Sequence, residues 1–221
     1  MGIIEASSPN FGARRGGLVP ELVVLHYTAM ATAEAALARL RDPAAEVSAH
    51  YLIAEDGRVW RLVDEAARAW HAGVGSWRGT GDVNSRSIGI ELANPGPLAA
   101  FPPFPEPQMA ALETLLDGIL PRWSIPAAGV IAHSDMAPGR KADPGPKFDW
   151  RRLARGGRAV WAAGEVVAGW NAVRAAATAA GYAAPGDDWP AVLAAVRLRF
   201  RPWARGATPE AADTGPLRAL V

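Results

Sequence analysis

The stretch Gly129-Val130-Ile131-Ala132-His133-Ser134-Asp135-Met136-Ala137-Pro138-Gly139-Arg140-Lys141-Ala142-Asp143-Pro144-Gly145 decides how this chain is read. Its first four residues form an apolar strand, and His133 stands where that strand runs out. A loop stiffened by Pro138 and Pro144 then carries Lys141 and Asp143. Far upstream, Leu22-Val23-Val24-Leu25 reads as a second buried strand, and it too ends on a histidine, His26. Two His and one Asp leave one position open on a tetrahedral metal. That is the pattern of a catalytic rather than a structural zinc site.

The rest of the chain is organised around these two strand ends. Residues 1–20, rich in Gly, Ser, Pro and Arg, read as an extended lead-in. Thr32 to Leu40 has helical spacing with Thr32 as N-cap. Ser48 to Ala54 and Val59 to Val63 flank Glu55-Asp56-Gly57-Arg58, and Asp-Gly between alternating segments is a strong hairpin signal. Trp70 to Asn84 is too long for a tight turn and is a candidate functional loop. Ser87 to Leu92 is another buried strand, and Asn94 to Pro107 a proline-rich loop. Gln108 to Pro121 predicts a helix with Leu112, Leu115, Leu116, Ile119 and Leu120 on one side.

Composition narrows the function. The chain has 221 residues, enough for one catalytic domain and a small appendage, and 50% of them are hydrophobic. The 23 basic and 22 acidic residues nearly cancel, so no nucleic-acid partner is indicated. No cysteine is present, which excludes disulfides, thiolate metal sites and thiol catalysis. No apolar run approaches the ~18 residues of a membrane span. The N-terminus lacks a basic and then apolar leader, so the sequence as it stands reads as cytoplasmic, or as periplasmic or secreted if a leader was trimmed. No protein partner is indicated.

Five blocks occur in order: Val23-Val24-Leu25-His26-Tyr27-Thr28, Val47-Ser48-Ala49-His50-Tyr51-Leu52-Ile53, Ala69-Trp70-His71-Ala72-Gly73, Asn84-Ser85-Arg86-Ser87-Ile88-Gly89-Ile90-Glu91, and the loop from His133 to Gly145. Together, over roughly residues 15–152, they resemble the zinc-dependent N-acetylmuramoyl-L-alanine amidases. That family includes the T7-lysozyme-like amidases and the peptidoglycan recognition proteins, and the blocks are similar above all to its AmiD and AmpD branch. The resemblance implies an α/β fold, a mixed central sheet flanked by helices. It also implies hydrolysis of the amide between N-acetylmuramic acid and L-alanine in peptidoglycan or muropeptides, for cell-wall turnover or recycling. It places Zn2+ on His26, His133 and Asp143, makes Glu91 the general acid–base and gives Lys141 the developing oxyanion. A muropeptide-binding module without catalysis is the alternative, as is a phage or secreted lytic enzyme of the same chemistry.

Each residue also has a plainer reading. Glu91 closes an apolar strand, where a carboxylate is costly unless it is paired or functional, so a salt bridge to Arg86 or Arg140 competes with catalysis. A surface lysine is usually solvated, but Lys141 is tethered two residues from Asp143. His50 is either a hydrogen-bonding partner near the metal or a core residue. Tyr27 reads as packing or as a neighbour that supports the metal ligands from behind. By analogy His71, Trp77, Asn84, Arg86 and Arg140 are candidates for substrate contacts: tryptophan by stacking on sugar or peptide, arginine by its bidentate fork.

After Arg152 the composition shifts. Val166 to Ala180, Trp189 to Phe200 and Pro209 to Leu220 show helical spacing, which divides the chain into a catalytic domain at 1–158 and a small three-helix unit at 159–221. That unit is similar to the peptidoglycan-binding domain often fused to such amidases. Arg205-Gly206-Ala207-Thr208 stands where the usual Asp-Gly turn would be. A helical cap on the catalytic domain is the other reading, with Trp161, Trp170, Trp189 and Trp203 as its anchors.

Overall fold

Apolar runs at Leu22–Tyr27 (β3) and Ser87–Leu92 (β7) form the centre of the main sheet in the computed structural model, which describes residues 2–221. Strands Ile3–Glu5 (β1), Tyr51–Ile53 (β4), Val59–Arg61 (β5) and Val130–Ala132 (β8) complete it, in the order β1-β5-β4-β7-β3-β8. The β4–β5 pair is antiparallel and every other pair is parallel, so the sheet is mixed. Strands Phe11–Ala13 (β2) and Ala67–Ala69 (β6) form a separate antiparallel pair. The lead-in is therefore structured. Its residues 3–5 and 11–13 add strands, and Arg14 donates to the carbonyls of Glu65, Asn84, Ser85 and Ser87. Isolated three-residue strands carry too little period-2 pattern to be seen in sequence.

The central strands are apolar on both faces because both faces are covered. Val23, Leu25, Ile88, Ile90 and Val130 pack against Leu112, Leu115, Leu116 and Ile119 of helix α3. The helices in chain order are α1 (Ala33–Arg41), α2 (Val83–Arg86), α3 (Glu106–Trp123), α4 (His133–Met136), α5 (Trp150–Arg155), α6 (Trp170–Ala180), α7 (Trp189–Phe200) and α8 (Ala211–Thr214). The opposite face, with Leu22, Val24 and Ile131, meets Trp77, Met136 and the C-terminal residues Ala177, Val192, Phe200 and Leu217. A third cluster sets α1 against Leu52, Trp60 and Leu62. Among the described residues, no helix is long and apolar enough to cross a membrane.

The local signals behave as their chemistry requires. Thr32 accepts from the Ala35 N–H at 3.1 Å and starts α1. Gly57 turns the β4–β5 hairpin at φ +88°, where a Cβ would meet the Pro107 carbonyl oxygen at 2.8 Å. The helix expected from Val166 begins only at Trp170, because Gly169 lies at φ +103°. The stretch expected as one helix over Pro209–Leu220 is α8 followed by a 3-10 turn at Pro216–Leu220, since Pro216 offers no N–H to continue it. The core of the C-terminal interface is Ala, Val, Tyr182 and Phe200; of the four expected tryptophan anchors, Trp161 and Trp189 are half-buried and pack against it, whereas Trp203 is exposed.

One polar joint ties α3 to the sheet. Glu65 is buried and accepts from Tyr51 Oη at 2.7 Å, from the Arg122 guanidinium at 2.8 and 2.9 Å, and from Trp123 Nε1. Glu65→Ala leaves the Tyr51 and Trp123 donors unpaired, and unpaired buried groups cost about 1–3 kcal/mol. Thermal denaturation should show a clear drop in Tm; an unchanged Tm would show that the joint adds nothing to stability.

Candidate metal centre and catalytic cleft

Three neighbouring parallel strands deliver side chains to one edge of the sheet. His26 and Glu91 are register partners across β3 and β7. Leu25 pairs with Ala132 across β3 and β8, so His133 emerges one residue further on, beside His26. The carboxyl ends of parallel strands are where open α/β sheets form their crevices. Asp143 is folded back by its loop, and its carbonyl accepts from the Ser134 N–H at 3.0 Å.

The three side chains converge on a point. His26 Nδ1 and His133 Nδ1 are 2.8 Å apart, and each is 2.9 Å from Asp143 Oδ2. All three residues are buried. The outer nitrogens fix the tautomers. His133 Nε2 is 2.9 Å from the Ala72 carbonyl oxygen, a pure acceptor, so Nε2 holds the proton. Ser87 Oγ spends its own proton on the Val83 carbonyl, and so accepts from His71 Nε2 at 3.3 Å. His71 Nδ1 then carries a lone pair and accepts from His26 Nε2–H at 3.0 Å. Both Nδ1 atoms therefore aim lone pairs at the carboxylate oxygen and at each other.

Three acceptors in contact with no hydrogen between them fit a cation. Two imidazole nitrogens and one carboxylate oxygen this close together are residues that would hold a divalent metal ion. A proton is a poor substitute: burial, reinforced by His133, lowers the His26 pKa to about 4 despite the opposing pull of Asp143. Burial works to raise the Asp143 pKa. The adjacent His133 and His26 imidazoles outweigh that and hold it below the usual carboxylate range.

The metal group opens into a cleft of about 420 Å³, lined also by Tyr27, Met30, Arg39, Trp70, Glu91 and Lys141. Glu91 Oε2 is buried without a hydrogen-bond partner. Burial raises the Glu91 pKa to about 8, with the Asp143 charge adding to the shift and Lys141 opposing it. Neither Arg86 nor Arg140 pairs with Glu91; the ion-pair partner of Arg86 is Glu21. Lys141 is exposed, its backbone N–H held by the Ala137 carbonyl at 3.1 Å.

Comparison with known proteins agrees with this geometry. The model of a family described as N-acetylmuramoyl-L-alanine amidase matches residues 16–146. The amidase AmiD of Escherichia coli is 39% identical over 176 residues, 72% of this chain and 63% of that relative, so the chain spans under two thirds of its length. The anhydro-muramyl amidase AmpD of Citrobacter freundii is 35% identical over 66% of this chain and 85% of its own. The chain belongs to this family. Its fold superimposes on E. coli AmiD, solved with anhydro-N-acetylmuramic acid-L-Ala-D-γ-Glu-L-Lys, with a TM-score of 0.82 at 33% identity, over 93% of this chain and 90% of that one. AmpDH3 of Pseudomonas aeruginosa, solved with an anhydromuramic pentapeptide, gives 0.76 at 30% identity, over 96% and 93%.

The other sequence candidates of this amidase-family chain divide. Trp77 is fully buried in the core and its ring packs on Tyr182, so it does not face the cleft. Asn84 is buried, and its Oδ1 accepts from the N–H groups of His71 and Ala72. Arg86 is buried and donates to the carbonyls of Trp77 and Thr80. These three shape the 70–86 loop from inside, which corrects the expectation that they contact substrate. Buried stacking and exposed stacking look alike in sequence. Arg140 lines the cleft, but its guanidinium is spent on the Ala72 and Val74 carbonyls. His71 lines the cleft beneath His26. His50 is a core residue, its Nδ1 accepting from the Gly89 N–H at 2.9 Å. Sequence reading missed Gly89 and Ser87. A Cβ on Gly89 would lie 2.4 Å from the His71 ring, so only glycine admits that ring. The alternation Ser87, Gly89, Glu91 along one face of β7 was the available signal.

Two measurements follow from this network. His71→Ala removes the acceptor that orients His26, and loss of such an outer partner costs 10–100-fold in metal affinity. Competition with a chromophoric chelator should show that loss; an unchanged affinity would mean His26 needs no outer partner. The second concerns pH. A carboxyl raised on folding from 4.5 to about 8 contributes its stability below the lower value and loses it as pH rises through the upper one. Metal-free wild type should therefore lose Tm between about pH 5 and about pH 9 more steeply than Glu91→Gln. Parallel Tm–pH curves would show that Glu91 ionises at little cost.

Proposed function

We propose that this chain is a zinc-dependent amidase that cleaves the bond between N-acetylmuramic acid and L-alanine in peptidoglycan or its anhydro-muropeptide fragments. Residues 1–158 carry the chemistry, and the helical residues 159–221 pack against them. The observation that supports this most is the convergence of His26 Nδ1, His133 Nδ1 and Asp143 Oδ2 beside the unpaired Glu91 carboxyl in an open cleft. Two imidazoles, one carboxylate and an open fourth position suit zinc. When bound, zinc supplies Lewis-acid polarisation of the scissile carbonyl and acidifies water at the site.

The protein groups carry the proton traffic. Glu91, on the strand beside His26, takes the proton from the water that attacks the lactyl carbonyl. A pKa near 8 lies close to the operating pH, so the same carboxyl can then return the proton to the departing L-alanine nitrogen. Its lack of internal partners leaves it free for that exchange. Lys141, exposed at the cleft and fixed through its backbone, donates to the oxyanion as the carbonyl becomes tetrahedral. The buried network behind His26 and His133 keeps their rings from turning during the cycle.

Purified zinc-loaded protein should split an anhydro-muropeptide into anhydro-N-acetylmuramic acid and free peptide, resolved by mass spectrometry. Glu91→Gln should keep zinc and lose about 10²–10⁴-fold in kcat. Lys141→Ala should keep zinc and lose on the order of 10²–10³-fold. Full activity of a demonstrably metal-free sample would sink the proposal, and loss of zinc from Glu91→Gln would make Glu91 a ligand. Running intact sacculi beside soluble fragments separates wall lysis from fragment recycling.

A further inference from the structure

His133 is the first residue of α4, a single helical turn too short to hold itself in place. What fixes that turn is Asp135, two residues on, whose side chain is fully buried. Asp135 Oδ2 accepts from the Ala132 N–H at 2.9 Å and from Arg199 Nη1 at 2.6 Å. Its Oδ1 accepts from Tyr182 Oη at 2.6 Å. Arg199 is also fully buried. It donates to the carbonyls of Val130 and Val160 at 3.2 and 3.0 Å, and its guanidinium lies 4.2 Å from the Trp150 ring. Tyr182 follows α6 and Arg199 lies in α7. A carboxylate that caps the strand-to-helix junction at a metal ligand is thus neutralised entirely from the C-terminal helices.

The same helices hold the second constraint on His133. The Ala72 carbonyl that accepts from His133 Nε2 belongs to the 70–86 loop. That loop is tied down where the Arg78 N–H donates to the Gly181 carbonyl at 2.9 Å and the Arg78 guanidinium donates to the Leu220 carbonyl at 2.6 Å. The ring of Trp77 meets that of Tyr182 edge-on at 5.1 Å. Gly181 sits at φ +114°, and a Cβ there would lie 2.7 Å from the Arg78 side chain. Tyr182 therefore touches both walls of the pocket that holds the His133 ring.

We propose that Tyr182 and Arg199 are positioning residues for His133, so that the C-terminal helical unit is part of the framework of the metal centre and not an independent module. The proposal rests on the reading that His26, His133 and Asp143 hold a metal. Helices remote in sequence complete the site through one buried carboxylate.

The test measures zinc affinity by chelator competition in the full chain, with the ligand-field spectrum of the cobalt-substituted protein as a second readout. Wild type and His133→Ala come first: one zinc retained by wild type and none by His133→Ala establishes the metal reading. Tyr182→Phe, which deletes one hydroxyl, should then weaken zinc binding about tenfold, the lower end for loss of an outer partner, and shift the cobalt spectrum. Arg201→Met is the control. Arg201 binds Asp213 and Glu210 within the C-terminal unit, so its loss should lower Tm and leave zinc affinity within about twofold, below that outer-partner range. If Tyr182→Phe fails to fold, Arg199→Lys keeps the charge, drops donors and serves in the same comparison. A zinc affinity and cobalt spectrum unchanged in the folded variant, or lowered equally in Arg201→Met, would overturn the positioning role. Absence of zinc from wild type would instead overturn the metal reading, and this proposal with it.

Discussion

Mutual repulsion among three lone pairs is the constraint around which this chain is built. His26 Nδ1, His133 Nδ1 and Asp143 Oδ2 lie within 2.9 Å of one another, and no proton belongs between them. Such a group does not persist unless each member is held from behind. His26 is held through His71 and Ser87, His133 through the Ala72 carbonyl and the capped turn at Asp135, and Asp143 through its backbone bond to Ser134. The sheet sets the spacing, since adjacent parallel strands about 4.8 Å apart place side chains of matched register side by side. The absent side chain at Gly89 makes room for the His71 ring. Removing that room or any of these backing bonds would let the three acceptors relax apart.

Glu91 shows the opposite design. Beside His26, His133 and Asp143, one Glu91 oxygen is buried with no hydrogen-bond partner. Burial is the largest cause of its raised pKa, ahead of the Asp143 charge. A nearby arginine would stabilise the carboxylate and fix it as an anion, and such a group could not return a proton. The neighbouring arginines are engaged elsewhere, Arg86 with Glu21 and Arg140 with carbonyls of the 70–86 loop. On the proposed mechanism the site gives up local stability to keep one proton mobile, as strained or unsatisfied groups at functional sites commonly do.

The sequence made the central strands and the metal cluster legible for specific reasons. Leu22–Leu25 and Ser87–Ile90 are apolar runs because both sheet faces are covered, and each ends on a polar residue that has no place in a core. Asp56-Gly57 announced its hairpin through a backbone conformation that glycine favours. Trp77, Asn84 and Arg86 were misread because polar and aromatic residues in a Gly-rich loop suggest contact with a ligand, and nothing local shows that the loop turns them inward. The role of residues 3–14 was hidden for a different reason. Arg14 reaches four backbone carbonyls more than 50 positions away, and such long-range pairing leaves no periodic trace.

The ion pair between Arg199 and Asp135 joins these themes. A salt bridge with both partners at zero exposure is poor evidence of stability, since a well-packed apolar pair of similar volume often does as well or better. The surrounding interface already packs Val24, Ile131 and Met136 against Val192, Val196 and Phe200. That contact is non-directional and would tolerate small slips of one layer over the other. A carboxylate accepting from a strand amide, a guanidinium and a phenol tolerates none, because a shift leaves a buried charge unpaired. The polar joint therefore converts an adjustable apolar interface into a fixed one. It does so two residues from His133, where a displacement of a few tenths of an ångström changes the geometry of the metal site.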